Sequence, residues 1–205
     1  MRINLPTWLT LFRVALLPVM VLVFYLPFRG HNIAAAVVFA LAGITDWLDG
    51  YLARRLDLTS KFGAFLDPVA DKLMVAVTLF MLVASHRGDW SGIVLAITSA
   101  IIVGREISIS ALREWMAEIG MRATVRVAFL GKLKTLMQMI ALVVLILQHE
   151  KDAEALRLYH IGECLLVVAG VLTIWSGLHY LRAAWPALHE DAPNVPGSSE
   201  HDRNA

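Results

Sequence analysis

The sequence predicts an all-α integral membrane protein, a bundle of six transmembrane helices with both termini in the cytoplasm. Three observations lead there. Hydrophobic residues make up 58% of the chain and its mean hydropathy is +0.65, well above the balance of a water-soluble domain. The apolar residues gather into six stretches, each long enough to cross a hydrocarbon core of about 30 Å as a helix. Four of the eighteen Lys and Arg residues, Arg29, Arg87, Lys151 and Arg157, fall between stretches on one side, and the other fourteen fall on the opposite side. That asymmetry marks the richer side as the cytoplasmic one.

The first span covers residues 8–27, with Pro6 where a proline suits a helix start. Arg13 interrupts its apolar run and no small-residue cleavage site follows, so the stretch reads as a helix and not as a removed leader. Thr7, Thr10 and Arg13 share one face, either as ordinary polarity near the headgroups or as part of a site. A short outer turn through Pro27, Arg29 and Gly30 leads to the second span, 33–53. The third, 64–84, carries Pro68 one turn in, where a proline is tolerated and a kink would aim Asp67. His86 lies in the next outer loop and reads as solvated. The remaining spans are 91–112, 127–147 and 160–181; the last holds the single cysteine, Cys164, which has no partner for an intrachain disulfide. One membrane domain therefore covers residues 1–185. From 186 to 205 the chain is rich in Pro, Asp, Glu, Ser and Asn without apolar periodicity, which predicts a disordered cytoplasmic tail. No internal repeat, Walker-type loop or nucleic-acid-binding pattern is present, so nucleic acid is not an expected partner.

The chemistry concentrates in residues 46–71, DWLDGYLARRLDLTSKFGAFLDPVAD. On a helix, Asp46, Asp49, Gly50, Ala53 and Arg54 lie at offsets 0, 3, 4, 7 and 8, which is one face. Gly63, Asp67 and Asp71 line one face of the next helix. Trp47, Leu48, Tyr51 and Leu52 point elsewhere, so polarity is confined to two stripes expected to face each other. Four carboxylates converging where water is scarce repel one another and are costly to hold uncompensated. Divalent cations resolve this, and hard oxygen donors without nearby Cys or His favour Mg²⁺ or Mn²⁺. Gly50, Ala53 and Gly63 leave room for a bulky ligand, and Arg54 offers a guanidinium fork to phosphate. The competing readings are glycines that only permit close helix packing, aspartates that only cap helix ends, and a cation-transport pathway. Transport predicts acids spread over several depths, whereas these cluster at one end.

Read as D-x2-D-G-x2-A-R-x8-G-x3-D-x3-D, Asp46 to Asp71 resembles the full signature of the CDP-alcohol phosphatidyltransferases. That resemblance implies a membrane enzyme in which Asp46, Asp49, Asp67 and Asp71 bind two divalent cations. It further implies that Gly50, Ala53, Arg54 and Gly63, together with Asp46, Asp49 and Asp67, accommodate CDP-diacylglycerol, that Asp71 is the general base, and that the protein is a homodimer.

Beyond the motif, Arg105, Glu106 and Arg113 interrupt the fourth span, and Arg122, Arg126, Lys132 and Lys134 precede or begin the fifth. Arg105 and Glu106 point about 100° apart on a helix and are expected to need separate partners; Arg105 and Arg113 share a face. These cations read either as anchors to anionic headgroups or as a site for a phosphate. The segments NLPTWLTLFR, REISISALREWMAEIG and GKLKT are similar to those of the phosphatidylglycerophosphate synthases within the family. The implied acceptor is sn-glycerol 3-phosphate, held by Arg105, Arg113, Lys132 and Lys134, with the active site on the cytoplasmic face of a bacterial inner membrane. Serine or inositol phosphate as acceptor would keep the same chemistry.

Overall fold

The computed structural model describes residues 5–56, 61–86, 88–118, 129–147 and 153–189. They form six α-helices: α1 (Leu5–Tyr25), α2 (His31–Leu56), α3 (Lys61–Ala84), α4 (Trp90–Glu118), α5 (Phe129–Leu147) and α6 (Ala153–His189). Each covers all or most of one of the six apolar stretches. Helix α6 continues to His189, four residues beyond 185, where the tail was expected to begin; residues 190–205 lie outside the described residues.

Tight turns reverse the chain. Gly30 between α1 and α2 (φ +84°) and Gly88 between α3 and α4 (φ +74°) both adopt the left-handed conformation that a Cβ disfavours. Helix α4 starts directly after Asp89, whose Oδ1 accepts from the Gly92 N–H at 3.2 Å and satisfies one of the first-turn donors. The helices run up and down: α1 packs on α2 and α3, α2 on α5, α3 on α4, and α6 on both α4 and α5.

The usual inside-out contrast of a soluble protein is missing. Met20, Phe39, Leu79, Leu82, Leu142 and Leu145 are fully buried along the bundle axis, with Ala35, Ala36, Ala42, Ala141 and Ala169 letting backbones approach. Large apolar side chains such as Trp8, Leu22, Ile33, Phe65, Ile97 and Trp175 are mostly exposed on the outside, the arrangement a lipid solvent stabilises. Four segments, Thr7–Tyr25, His31–Tyr51, Trp90–Glu118 and Leu156–Arg182, are long and apolar enough to cross a membrane. Of the other two helices, α5 has the shorter apolar stretch Leu133–Leu147, and α3 carries Asp67, Asp71 and Lys72 in its first half.

At the end of the bundle holding the Gly88 turn, His86 departs from the solvated state expected of it. Its Nδ1 lies 2.8 Å from the Leu82 carbonyl and its Nε2 2.6 Å from the Tyr159 hydroxyl. Ser91 Oγ donates to Glu163 Oε1 at 2.8 Å and lies 3.1 Å from the same hydroxyl. A polar residue at the start of α6, 73 positions away in sequence, gives the histidine a partner.

Candidate active site

At the opposite end, the last turns of α2 present Asp46 and Asp49, and the first turns of α3 present Asp67 and Asp71. The two stripes do not simply face each other, because α1 lies against both helices and brings its polar face between them. Thr7, Thr10 and Arg13 are all buried, Arg13 to 1% exposure. Arg13 Nη1 pairs with Asp46 Oδ1 at 2.8 Å and with Asp71 Oδ1, while Nη2 pairs with Asp49 Oδ2. Thr10 Oγ1 donates to Asp67 Oδ1. Every aspartate of the cluster is therefore bonded to a side chain of α1. The physical reason is charge: four carboxylates brought together need a cation, and a guanidinium buried in an apolar helix needs carboxylates.

The cluster is open on one side. Asp49 is buried, whereas the Asp46 and Asp71 side chains remain 46% and 47% exposed. Gly50 follows Asp49 half-buried, and Gly63 is buried one turn before Asp67. Ala53 and Arg54 continue α2, but their side chains lie outside the described residues. Trp47, Leu48 and Tyr51 point outward as expected, with Trp47 and Tyr51 stacked at 5.8 Å.

In kind, as carboxylate oxygens with no thiol or imidazole of the described residues beside them, the donor set fits hard divalent cations. Three carboxylates already converge on one positive group, with two of their oxygens on a single nitrogen of it. Among the described residues, no three acidic, cysteine or histidine side chains are close enough together in this arrangement to chelate an ion by themselves.

A second polar group forms where α4, α5 and α6 meet, at the same end of the bundle. Lys134 Nζ donates to Glu106 Oε1 at 3.0 Å and Arg105 Nη1 contacts the same oxygen at 3.3 Å. Glu106 thus has Lys134 as a separate partner, as expected, but it also meets Arg105 itself, because the long arginine stem folds back across the angle between the neighbouring positions. Arg105 Nη2 also donates to Ser176 Oγ at 2.9 Å. Gly177 makes this possible, since a Cβ there would sit 3.3 Å from Arg105 Cγ. Arg113 turns to the same helix and lies over the Tyr180 ring at 5.6 Å. The Lys132 side chain, Arg122 and Arg126 lie outside the described residues.

The sequence profile of the CDP-alcohol phosphatidyltransferases matches residues 3–175. This chain belongs to that family. A relative from Sodalis glossinidius (strain morsitans), named CDP-diacylglycerol–glycerol-3-phosphate 3-phosphatidyltransferase, is 52% identical over 190 residues, covering 93% of this chain and 100% of the relative. Relatives of the same name are similar to this chain over comparable lengths. That from Yersinia pestis (strain Pestoides F) is 51% identical over 93% of this chain and 100% of its own. That from Pseudomonas fluorescens is 51% identical over 92% and 93%.

In this phosphatidyltransferase an apolar groove of about 420 Å³ lies between α2 and α5. Ala40, Gly43, Ile44 and Trp47 line one wall, and Leu136, Met139, Ile140, Val143 and Val144 the other. The α2 wall carries Trp47, next to Asp46 in sequence but on a different face of the helix. Arg13 and Thr10 are the site residues that sequence reasoning left unassigned. Their signal is a polar face recurring every three residues in an otherwise apolar helix.

Proposed function

We propose that this chain transfers the phosphatidyl group of CDP-diacylglycerol to the primary hydroxyl of sn-glycerol 3-phosphate, giving phosphatidylglycerophosphate and CMP. The convergence of Asp46, Asp49 and Asp71 on one cationic point, with Asp67 bonded to the neighbouring Thr10, carries this reading. The names borne by relatives at about half identity support the acceptor.

Asp46, Asp49, Asp67 and Asp71 would hold two divalent cations, Mg²⁺ or Mn²⁺. When bound, the pair neutralises charge on the attacking and leaving oxygens of a phosphoryl transfer. Gly50, Ala53, Arg54 and Gly63 take the CDP moiety, the two glycines leaving its phosphates a side without Cβ atoms. Asp71, half-exposed at the open side of the cluster, accepts the proton of the acceptor hydroxyl. The freed oxygen forms its bond to the phosphorus bearing diacylglycerol, the phosphoanhydride bond breaks, and CMP leaves with the electron pair. Arg105, Arg113, Lys132 and Lys134 hold the phosphate of the acceptor, and an acyl chain of the donor lies in the groove between α2 and α5.

All six helices cross the membrane in this reading, with both termini and the site at the cytoplasmic face of a bacterial inner membrane. The excess of Lys and Arg on that side supports the orientation. Nucleotide and glycerol phosphate then arrive from water while the acyl chains stay in lipid. The working unit is a homodimer.

The deciding assay supplies purified protein with CDP-diacylglycerol and, separately, glycerol 3-phosphate, serine or inositol phosphate, with Mn²⁺ or with chelator. Metal-dependent CMP release with glycerol 3-phosphate alone is expected. Turnover with another alcohol would overturn the acceptor, and metal-independent turnover would overturn the metal centre.

A further inference from the structure

We infer that Arg13 is a built-in counter-cation of the aspartate cluster, which divalent cations displace when they bind. The inference rests on reading the four aspartates as metal ligands and adds what α1 contributes to that site. Three observations carry it. Arg13 is 1% exposed on α1, between buried Thr10 on one side and buried Leu17 and Met20 on the other, a place where an arginine is tolerated only with its charge compensated. Its two Nη atoms take Asp46, Asp49 and Asp71 together. Its buried Nε has no hydrogen-bond partner, so the guanidinium is held by these carboxylates through its Nη atoms.

A divalent ion and this guanidinium compete for the same oxygens. Asp46 Oδ1 and Asp71 Oδ1 both lie on Nη1, and a metal drawing either into its coordination shell would stand against a like charge at contact distance. Metal occupancy therefore moves the fork off the carboxylates. The fork stays tethered to α1 beside Thr10, with its donors available to anionic phosphate oxygens at the same site. In the metal-free protein Arg13 keeps α1, α2 and α3 together. In the metal-loaded protein the ions take over that role.

The apparent metal affinity is reduced by the fraction of molecules in which the cluster is free of the guanidinium. The test measures Mn²⁺ binding to the purified full-length chain in detergent by electron paramagnetic resonance, without donor or acceptor, and thermal unfolding in EDTA and in Mn²⁺. Arg13→Gln is expected to bind Mn²⁺ at least about tenfold more tightly than the wild type, corresponding to a cluster that is free in about a tenth of wild-type molecules. It should unfold at lower temperature in EDTA, with the loss recovered in Mn²⁺. Arg13→Lys keeps the charge but has one ammonium for three carboxylates, and should bind Mn²⁺ with intermediate affinity.

Equal affinity of Arg13→Lys and wild type would overturn the inference, because the effect would then be one of charge through space. Weaker binding by Arg13→Gln would overturn it too, as would failure of both variants to fold even in Mn²⁺, since the ions would then not replace the guanidinium. Absence of Mn²⁺ binding in the wild type would instead remove the metal reading on which the inference rests.

Discussion

Lys134 on α5 donates its ammonium to Glu106 on α4 across 3.0 Å, with the lysine only 5% exposed. Arg105 reaches the same carboxylate oxygen, so two cations crowd one anion and the group carries excess positive charge. An acceptor phosphate would complete it. Lys134→Met removes a charge-assisted bond of about 1.5–3 kcal/mol. The KM for glycerol 3-phosphate should rise roughly 10- to 100-fold, with the KM for CDP-diacylglycerol nearly unchanged. Steady-state kinetics with each substrate varied in turn checks this, and equal effects on both would remove Lys134 from the acceptor site.

Ser176 tests the same site from the other side. Its hydroxyl accepts from Arg105 Nη2 at 2.9 Å and donates to the Thr173 carbonyl at 3.1 Å, which orients the guanidinium. Ser176→Ala should cost about 1 kcal/mol of that orientation, seen as a severalfold rise in the acceptor KM. Gly177→Leu should be more severe, because even its Cβ would press on the Arg105 stem. Unchanged acceptor kinetics in both variants would show that Arg105 works without this support.

Asp71→Asn keeps the shape of the side chain and removes its basicity. If Asp71 takes the proton of the acceptor hydroxyl, kcat should fall by about 10²- to 10⁴-fold. Asp67→Asn leaves that base intact and weakens the metal site, so raising Mn²⁺ should recover part of its activity and none of the loss in Asp71→Asn. Recovery of Asp71→Asn by Mn²⁺ would reassign Asp71 as a ligand alone.

Much of this site is legible in the sequence because helix periodicity fixes which residues share a face. Asp46 with Asp49, and Asp67 with Asp71, follow from spacing alone, as does the outward direction of Trp47. Periodicity says nothing about which neighbour a face meets. The Thr7, Thr10 and Arg13 face is visible in the sequence, yet its insertion between the aspartates depends on α1 packing against α2 and α3 together. Arg105 and Glu106 have the separate partners expected of them, but their contact with each other is hidden for a related reason: the angle between adjacent positions describes Cβ directions, and an arginine is long enough to cancel it. The partner of His86 comes from α6, far along the chain, so no local pattern reveals it.

The groove between α2 and α5 is likewise a product of helix pairing, and Gly43 is its most sensitive point. A Cβ at Gly43 would come within 2.7 Å of Met139 Cε, the end of a flexible side chain that can move aside. Gly43→Leu should therefore fold with the groove filled. Each methylene excluded from an apolar surface is worth about 0.8 kcal/mol, so the KM for long-chain CDP-diacylglycerol should rise about tenfold or more while that for a short-chain analogue moves little. An equal rise for both chain lengths would mean that the groove does not take the acyl chain.

Tyr159 separates stability from chemistry. Its hydroxyl joins His86 at 2.6 Å and Ser91 at 3.1 Å, tying the start of α6 to the α3–α4 turn at the end of the bundle away from the aspartates. Tyr159→Phe keeps the ring in its buried position and leaves His86 Nε2 without this partner, a loss of about 1–3 kcal/mol. The thermal midpoint in detergent should fall by several degrees, while kcat and both KM values at a temperature well below the midpoint stay at wild-type levels. A fall in kcat without a fall in the midpoint would show that the far end of the bundle is coupled to the aspartate site, and would replace a structural role for Tyr159 with a functional one.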